Sequence, residues 1–233
     1  VLRAAGRQDA AIEVLEALTR SHPELPEVYA TKGDTLRQAE RYDEAISAYT
    51  TALDLYDEGQ NPRWFVYYTR GISYHRMDEW PDAEADFRAA LALRPDHPQV
   101  LNYLGYSLVE RGEKLDEALE MIETAAAERP DNGAIVDSLG WVYFQLGRYE
   151  EAVFHLERAA SLEPVDPVIN DHLGDAFWAV GRETEARFQW HRALSFDPEA
   201  DEALRIRDKL KRGLDLVLVD EGRAPIRVAS GDD

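Results

Sequence analysis

The stretch Val136–Pro164, VDSLGWVYFQLGRYEEAVFHLERAASLEP, decides how the rest of the chain is read. Val136, Leu139, Gly140 and Tyr143 come first, Ala152 and Leu156 follow, and Pro164 closes the run. The spacing describes two helices joined by a tight turn at Gly147. Gly140 and Ala152 carry almost no side chain, so the helices can approach closely there. Leu139, Tyr143 and Leu156 fill the space beside that contact. Pro164 prevents the second helix from running on. One such hairpin cannot bury its apolar face alone and requires copies stacked on either side.

The copies are present. Leu173-Gly174 with Phe177 is followed by Ala186, Trp190 and Pro198; Leu104-Gly105 with Leu108 by Ala118, Ile122 and Pro130. Gly71 with Tyr74 precedes Ala83, Phe87 and Pro95, and Gly33 with Leu36 precedes Ala45 and Tyr49. The glycines lie 38, 34, 35 and 34 residues apart, the irregularities falling after Gly112 and within YDEGQNPRW, Tyr56–Trp64. Both are turns, where added length costs little. In order and spacing the pattern resembles the tetratricopeptide repeat family over almost the whole chain. The expected fold is all-α, a helical-hairpin solenoid (superhelix).

Five full units are predicted at 26–57, 64–95, 98–130, 133–164 and 167–198, together spanning 26–198. Residues 1–22 read as the second helix of a partial repeat, with Gly6, Ala11, Leu15 and Pro23 in register. That end should expose apolar surface and fray, and a longer protein is expected on its N-terminal side. An exposed half-repeat could also drive self-association. Residues 199–212 read as a polar-faced capping helix that buries Ala203, Leu204, Ile206 and Leu210 and ends on basic side chains that complement its dipole. In 213–233, the alternation of Leu214–Val219 and then Ile226–Val228 predicts two short strands or a mobile tail, with 230–233 disordered. Gly147 and Gly181 should take positive φ at helix ends. Asp96, Asp131 and Asp166 sit where they can start the following helix.

Composition narrows function. Among 233 residues there are 46 acidic and 26 basic side chains, net −20, which opposes binding to nucleic acid or an anionic membrane. No apolar run approaches the roughly 18 residues needed to span a bilayer. The absence of cysteine removes disulfides and thiolate metal sites. No nucleotide-binding glycine loop, nucleophile elbow or zinc-protease helix occurs, and no two histidines share a helical ligand spacing, so no cofactor or metal is implied. The densest polar cluster is Asn170-Asp171-His172 with Asp175. It reads as part of a binding surface, with an acid–base or metal site as the lesser reading.

In the tetratricopeptide family, the first helices of the units line a concave face that grips partners. The resemblance implies that Phe65, Tyr68, Asn102, Tyr106, Asp137, Trp141, Phe144, Asp171, Asp175 and Trp178 lie on that face. Rings that water can reach, interleaved with polar groups, would make an interface hot spot. Alanine at Trp141 or Trp178 is then expected to weaken partner capture with only a modest loss of melting temperature. Because the inward positions are acidic or aromatic, a basic or apolar partner segment is favoured over an acidic tail. The expected function is a non-catalytic adaptor that binds another protein or peptide. The alternative is the interaction domain of a larger enzyme whose catalytic part lies N-terminal to the chain. Val136–Trp141 and Asn170–Trp178 further resemble the C-terminal repeats of bacterial envelope tetratricopeptide proteins. Some of those are outer-membrane lipoproteins that deliver substrates to carboxyl-terminal processing proteases.

Overall fold

In a computed structural model the described residues are 8–56 and 63–226, and they form thirteen α-helices and no strand. These are α1 (Gln8–Ser21), α2 (Pro26–Gln38), α3 (Tyr42–Leu55), α4 (Arg63–Arg76), α5 (Trp80–Leu93), α6 (Pro98–Glu110) and α7 (Leu115–Glu128). They continue with α8 (Gly133–Gln145), α9 (Tyr149–Leu162), α10 (Pro167–Ala179), α11 (Glu183–Ser195), α12 (Ala200–Arg212) and α13 (Leu214–Asp220). The chain has an all-α helical-repeat fold in two compact units, 1–100 and 101–233. The expectations for Gly6, for the turn after Tyr56, for a second strand beyond Ile226 and for disorder at 230–233 fall wholly or mainly outside the described residues.

Every hairpin is closed by the same steric device. A methyl group on Gly33 would stand 2.5 Å from the Tyr49 ring, and one on Gly71 2.8 Å from Phe87. For Gly105, Gly140 and Gly174 the distances are 2.7 Å to Ile122, 2.5 Å to Leu156 and 2.4 Å to Trp190. Real Cβ atoms do not approach so closely, so each glycine is the notch that receives a large side chain from the second helix. Ala45, Ala83, Ala118, Ala152 and Ala186 are all fully buried.

The turns are equally regular. Gly147 and Gly181 have φ of 74° and 81°. Glu40 and Asp78 adopt the same left-handed conformation at the equivalent positions, φ 59° each, so the turn overrides the usual preference for glycine. Side chains cap the starts of α10 and α8: the Asp166 carboxylate accepts from Ile169 N, and the Asn132 side chain accepts from Ile135 N, each at 3.0 Å. Asn132, rather than the expected Asp131, therefore starts α8.

In the unit 1–100, Ile12 of α1 joins a buried cluster with Leu36, Ala48, Tyr49, Leu53, Tyr56 and Val66. Val14 and Leu18 of the same helix stay largely exposed. Arg70 pins α4 to α5 and α3, its guanidinium meeting the Asp86 carboxylate at 2.7 and 2.8 Å and the Thr50 hydroxyl at 2.9 Å.

In the unit 101–233 the C-terminal end departs from expectation twice. Residues 214–220 are a helix, not a strand. The buried set Leu214, Val217 and Leu218 has the three- and four-residue spacing of a helix face, while Leu216 and Val219 remain exposed. The alternation Leu214–Leu216–Leu218 is compatible with both periods, and packing decides between them. Gly213, φ 85°, makes the corner between α12 and α13, and a methyl there would sit 2.6 Å from the Trp178 ring. In α12, Leu204 is exposed rather than buried, and the buried face carries Lys209 in its place.

Candidate binding site in the C-terminal unit

The first helices α8 and α10, the end of α6 and the helix α12 enclose a cavity of about 510 Å³. Tyr106, Val109 and Glu110 line it from α6, Trp141 and Gln145 from α8, and Asp171 and His172 from α10. Glu202, Arg205 and Ile206 of α12 close the far side, with Glu221 and Arg223 at the rim beyond α13.

The aromatic residues do not stand free along this face. Trp141 is only 6% exposed, Phe144 4% and Trp178 8%. Trp141 stacks nearly parallel on His172, centroids 3.9 Å apart, and on Phe144 at 4.8 Å. Its indole N–H donates to Glu110 Oε1 at 2.7 Å. The Trp178 N–H donates to Asp215 Oδ2 at 2.7 Å, so α13 covers that ring. The reading of these three rings as solvent-reachable is therefore corrected: neighbouring first helices and the C-terminal helices bury them. Trp141→Ala should accordingly cost about 3–5 kcal/mol of stability by the usual large-to-small penalty, readable as a lowered urea midpoint. Trp141→Phe should cost less, since a ring remains to stack on His172 and the losses are the extra volume of the indole and its hydrogen bond to Glu110.

The buried acids are likewise engaged. His172 Nδ1 lies 3.0 Å from both carboxylate oxygens of Asp137, so the histidine pairs with α8 rather than with Asp171 or Asp175. Lys209, fully buried, puts its ammonium 2.7 Å from Asp171 Oδ2 and 2.8 Å from both oxygens of Asp175. Asp175 also accepts from the Trp190 N–H at 2.9 Å. Asp171 Oδ1 and the neighbouring Asn170 Oδ1 are buried without a hydrogen-bond partner.

Of the remaining predicted residues, Tyr106 is half-buried and lines the cavity. Burial, with Glu110 and Asp137 nearby, pushes its phenol pKa up, so the hydroxyl stays protonated. Asn102 is half-buried and its side-chain oxygen has no partner. Phe65 and Tyr68 belong to the unit 1–100, where Phe65 is 41% exposed beside Trp64 and Tyr68 lies against Phe87. Cavity residues that sequence reasoning missed come chiefly from α12 and beyond. Glu202, Arg205, Glu221 and Arg223 lie outside the repeat spacing, and only the density of charge in that stretch marked them.

Burial disfavours the charged form of His172. Asp137, by charge and by hydrogen bond, outweighs that effect with help from Asp171 and Glu110, and holds the imidazole pKa above its usual value. A raised histidine stabilises the fold fully below its unfolded pKa, about 6.5, and loses that contribution as pH rises through the folded value. The melting temperature should thus fall as pH is taken from about 6 to about 9. Each tenfold gain in proton affinity on folding is worth about 1.4 kcal/mol. His172→Gln should remove that part of the slope. An unchanged slope in the variant would assign it to another group.

Paired helices repeating around a glycine notch, with first helices side by side, define an all-α helical-repeat protein. The chain belongs to the tetratricopeptide repeat family, which it matches over residues 1–60 and 68–132, with a second tetratricopeptide match over 111–172. A TPR repeat-containing protein of Pseudomonas aeruginosa is 32% identical over 153 residues, 65% of this chain and 25% of that protein. The chain thus spans about a quarter of that relative's length. Among solved structures, the APC/C hetero-tetramer Cut9–Hcn1 superposes with a TM-score of 0.76 at 20% identity, over 91% of this chain and 40% of that one. A tetratricopeptide repeat protein from Parabacteroides merdae gives 0.75 at 18% identity, over 90% and 81%. At these identities the likeness is one of fold. Tetratricopeptide repeats generally mediate protein–protein interaction, and the repeat fold is typically non-catalytic. No described helix is long and apolar enough to cross a membrane.

Proposed function

We propose that this chain is a non-catalytic adaptor domain, and that its C-terminal unit takes a basic or apolar segment of a partner protein. The observation that carries this reading is the 510 Å³ cavity bounded by the carboxylate residues Glu110, Asp171, Glu202 and Glu221. A lysine or arginine from a partner would meet these carboxylates. Tyr106, Trp141 and Ile206 would pack against its aliphatic stem. The net charge of −20 favours approach of a basic segment in the same sense. The lysine already beneath Asp171 and the arginines at the rim limit the attraction, so selectivity rests on shape as well as charge.

The test is an array of equal-length basic–apolar, neutral–apolar and acidic–apolar peptides, read through the fluorescence of the full chain. Basic–apolar peptides should bind most tightly, and Glu110→Lys with Glu202→Lys should weaken them about tenfold or more, as expected for loss of close charge pairs. Preference for acidic peptides, or indifference to the double reversal, would overturn the reading.

A further inference from the structure

After α13 the chain stops being helical. Arg223–Ile226 runs without regular secondary structure, Arg223 to Pro225 exposed, and passes over the end of α8 and the start of α9. Few bonds hold it. Arg223 Nη2 donates to Gln145 Oε1 at 3.0 Å, and its backbone N–H donates to Leu218 O at 2.8 Å. The Ile226 N–H donates to Asp215 Oδ1, also at 2.8 Å. Upstream, Arg205 Nε meets Glu221 at 2.6 Å. Beneath the segment lies a cavity of about 300 Å³, walled by Phe144, Gln145, Tyr149 and Leu218. The segment therefore spans an aromatic-floored hollow without filling it.

The composition of the segment is informative. Arg223, Ala224, Pro225 and Ile226 combine one cation with apolar side chains, the chemistry that the neighbouring cavity favours. The proline cannot continue a helix and fixes its own φ, so little conformational freedom is lost when such a segment docks extended. Asp215 takes a backbone N–H and Gln145 takes a guanidinium, so both ends are read by side chains of the unit.

We infer that the end of α8, with Tyr149 of α9 and Asp215 of α13, is a docking site for an extended partner segment bearing arginine two residues before proline and a branched aliphatic residue after it. The chain's own Arg223–Ile226 is its occupant in cis, and a partner must displace it. This rests on the adaptor reading above and names the partner motif and the control of access. A tethered occupant competes at an effective concentration in the millimolar range, so even a weak cis contact suppresses binding in trans. Breaking the tether removes that competition.

The test uses the full chain and a fluorescein-labelled peptide, Asp-Glu-Gly-Arg-Ala-Pro-Ile, corresponding to residues 220–226, with a scrambled peptide beside it. Wild type should bind the peptide weakly. Arg223→Glu with Pro225→Gly, both at exposed positions, should bind it about tenfold more tightly or better, with the melting temperature lowered by no more than about a few degrees, the loss that a tenfold cis contact itself implies. Adding Gln145→Lys to that variant should abolish the gain, because a lysine there repels the peptide arginine. The inference is overturned by equal affinity in wild type and the tail variant, by equal binding of the scrambled peptide, or by binding that survives Gln145→Lys. A wild-type dimer that exchanges tails between copies would overturn the cis arrangement. If basic peptides still respond to Glu110 and Glu202 while this peptide ignores the tail, the inference fails and the adaptor reading stands.

Discussion

Lys209→Ala should destabilise the protein by about 3–5 kcal/mol, the cost of breaking a buried ion pair by removing one partner. Lys209 is fully buried and sits between Asp171 and Asp175, the latter 1% exposed. Without the ammonium, Asp175 keeps the Trp190 N–H and the guanidinium of Arg205 at 3.6 Å, which cannot replace a direct bond to both its oxygens. The alternative, that α12 is merely a soluble cap, predicts a change within about 0.5 kcal/mol. Pairing Lys209→Met with Asp175→Asn should recover most of the loss. Charge is then removed from both sides, and asparagine can still accept from Trp190.

The deficit should depend on pH. Burial already raises the Asp171 pKa, with Lys209 opposing it. Removing the lysine raises it further. A carboxyl whose folded pKa lies above its unfolded value favours folding while protonated and loses that advantage as pH rises. The Lys209→Ala deficit should therefore be smaller in acid than at neutral pH. Urea unfolding across pH, with the m-value checked for constancy, reads both effects. An equal deficit at every pH would mean that the carboxylates are rescued by water or by Arg205.

The second large effect belongs to the glycine notch. Gly174→Ala should destabilise by about 1–3 kcal/mol although alanine is the better helix former by about 1 kcal/mol. The added methyl would lie 2.4 Å from Trp190 Cδ1 and 2.5 Å from its Nε1. Trp190 is fully buried and cannot swing away without breaking its bond to Asp175. Overpacking and the lost hydrogen bond together outweigh the helix-propensity gain. Shrinking the partner in the same background, Trp190→Leu, should restore part of the loss and give a coupling energy of about 0.5–3 kcal/mol in a double-mutant cycle. Additive effects would mean that the helices separate rather than clash, and that the notch does not set their distance.

The Gly174–Trp190 contact was visible as a recurring pair, a small residue on one helix and a large one on the next. Steric exclusion acts between residues at fixed offsets, so every copy repeats the signal. The same holds for the turns at Gly147 and Gly181. The inward face was only half legible. Position counting placed Tyr106, Trp141 and Asp171 around one space, but it could not say that Trp141 would stack on His172 or that α13 would cover Trp178. Those are contacts between residues about 30 to 40 apart, and nothing local encodes them.

By itself, the sequence determined the helical hairpins, their register and the acidic character of the chain, because the distances between apolar, small and turn residues act locally and repeat. Only the tertiary structure decided which rings are buried, that Lys209 bridges Asp171 and Asp175, and that 214–220 coils into a helix rather than a strand. The physical reason is that burial and charge pairing depend on which surfaces finally meet. At the C-terminal end the repeat spacing stops, so the identity of each neighbour is set by packing alone.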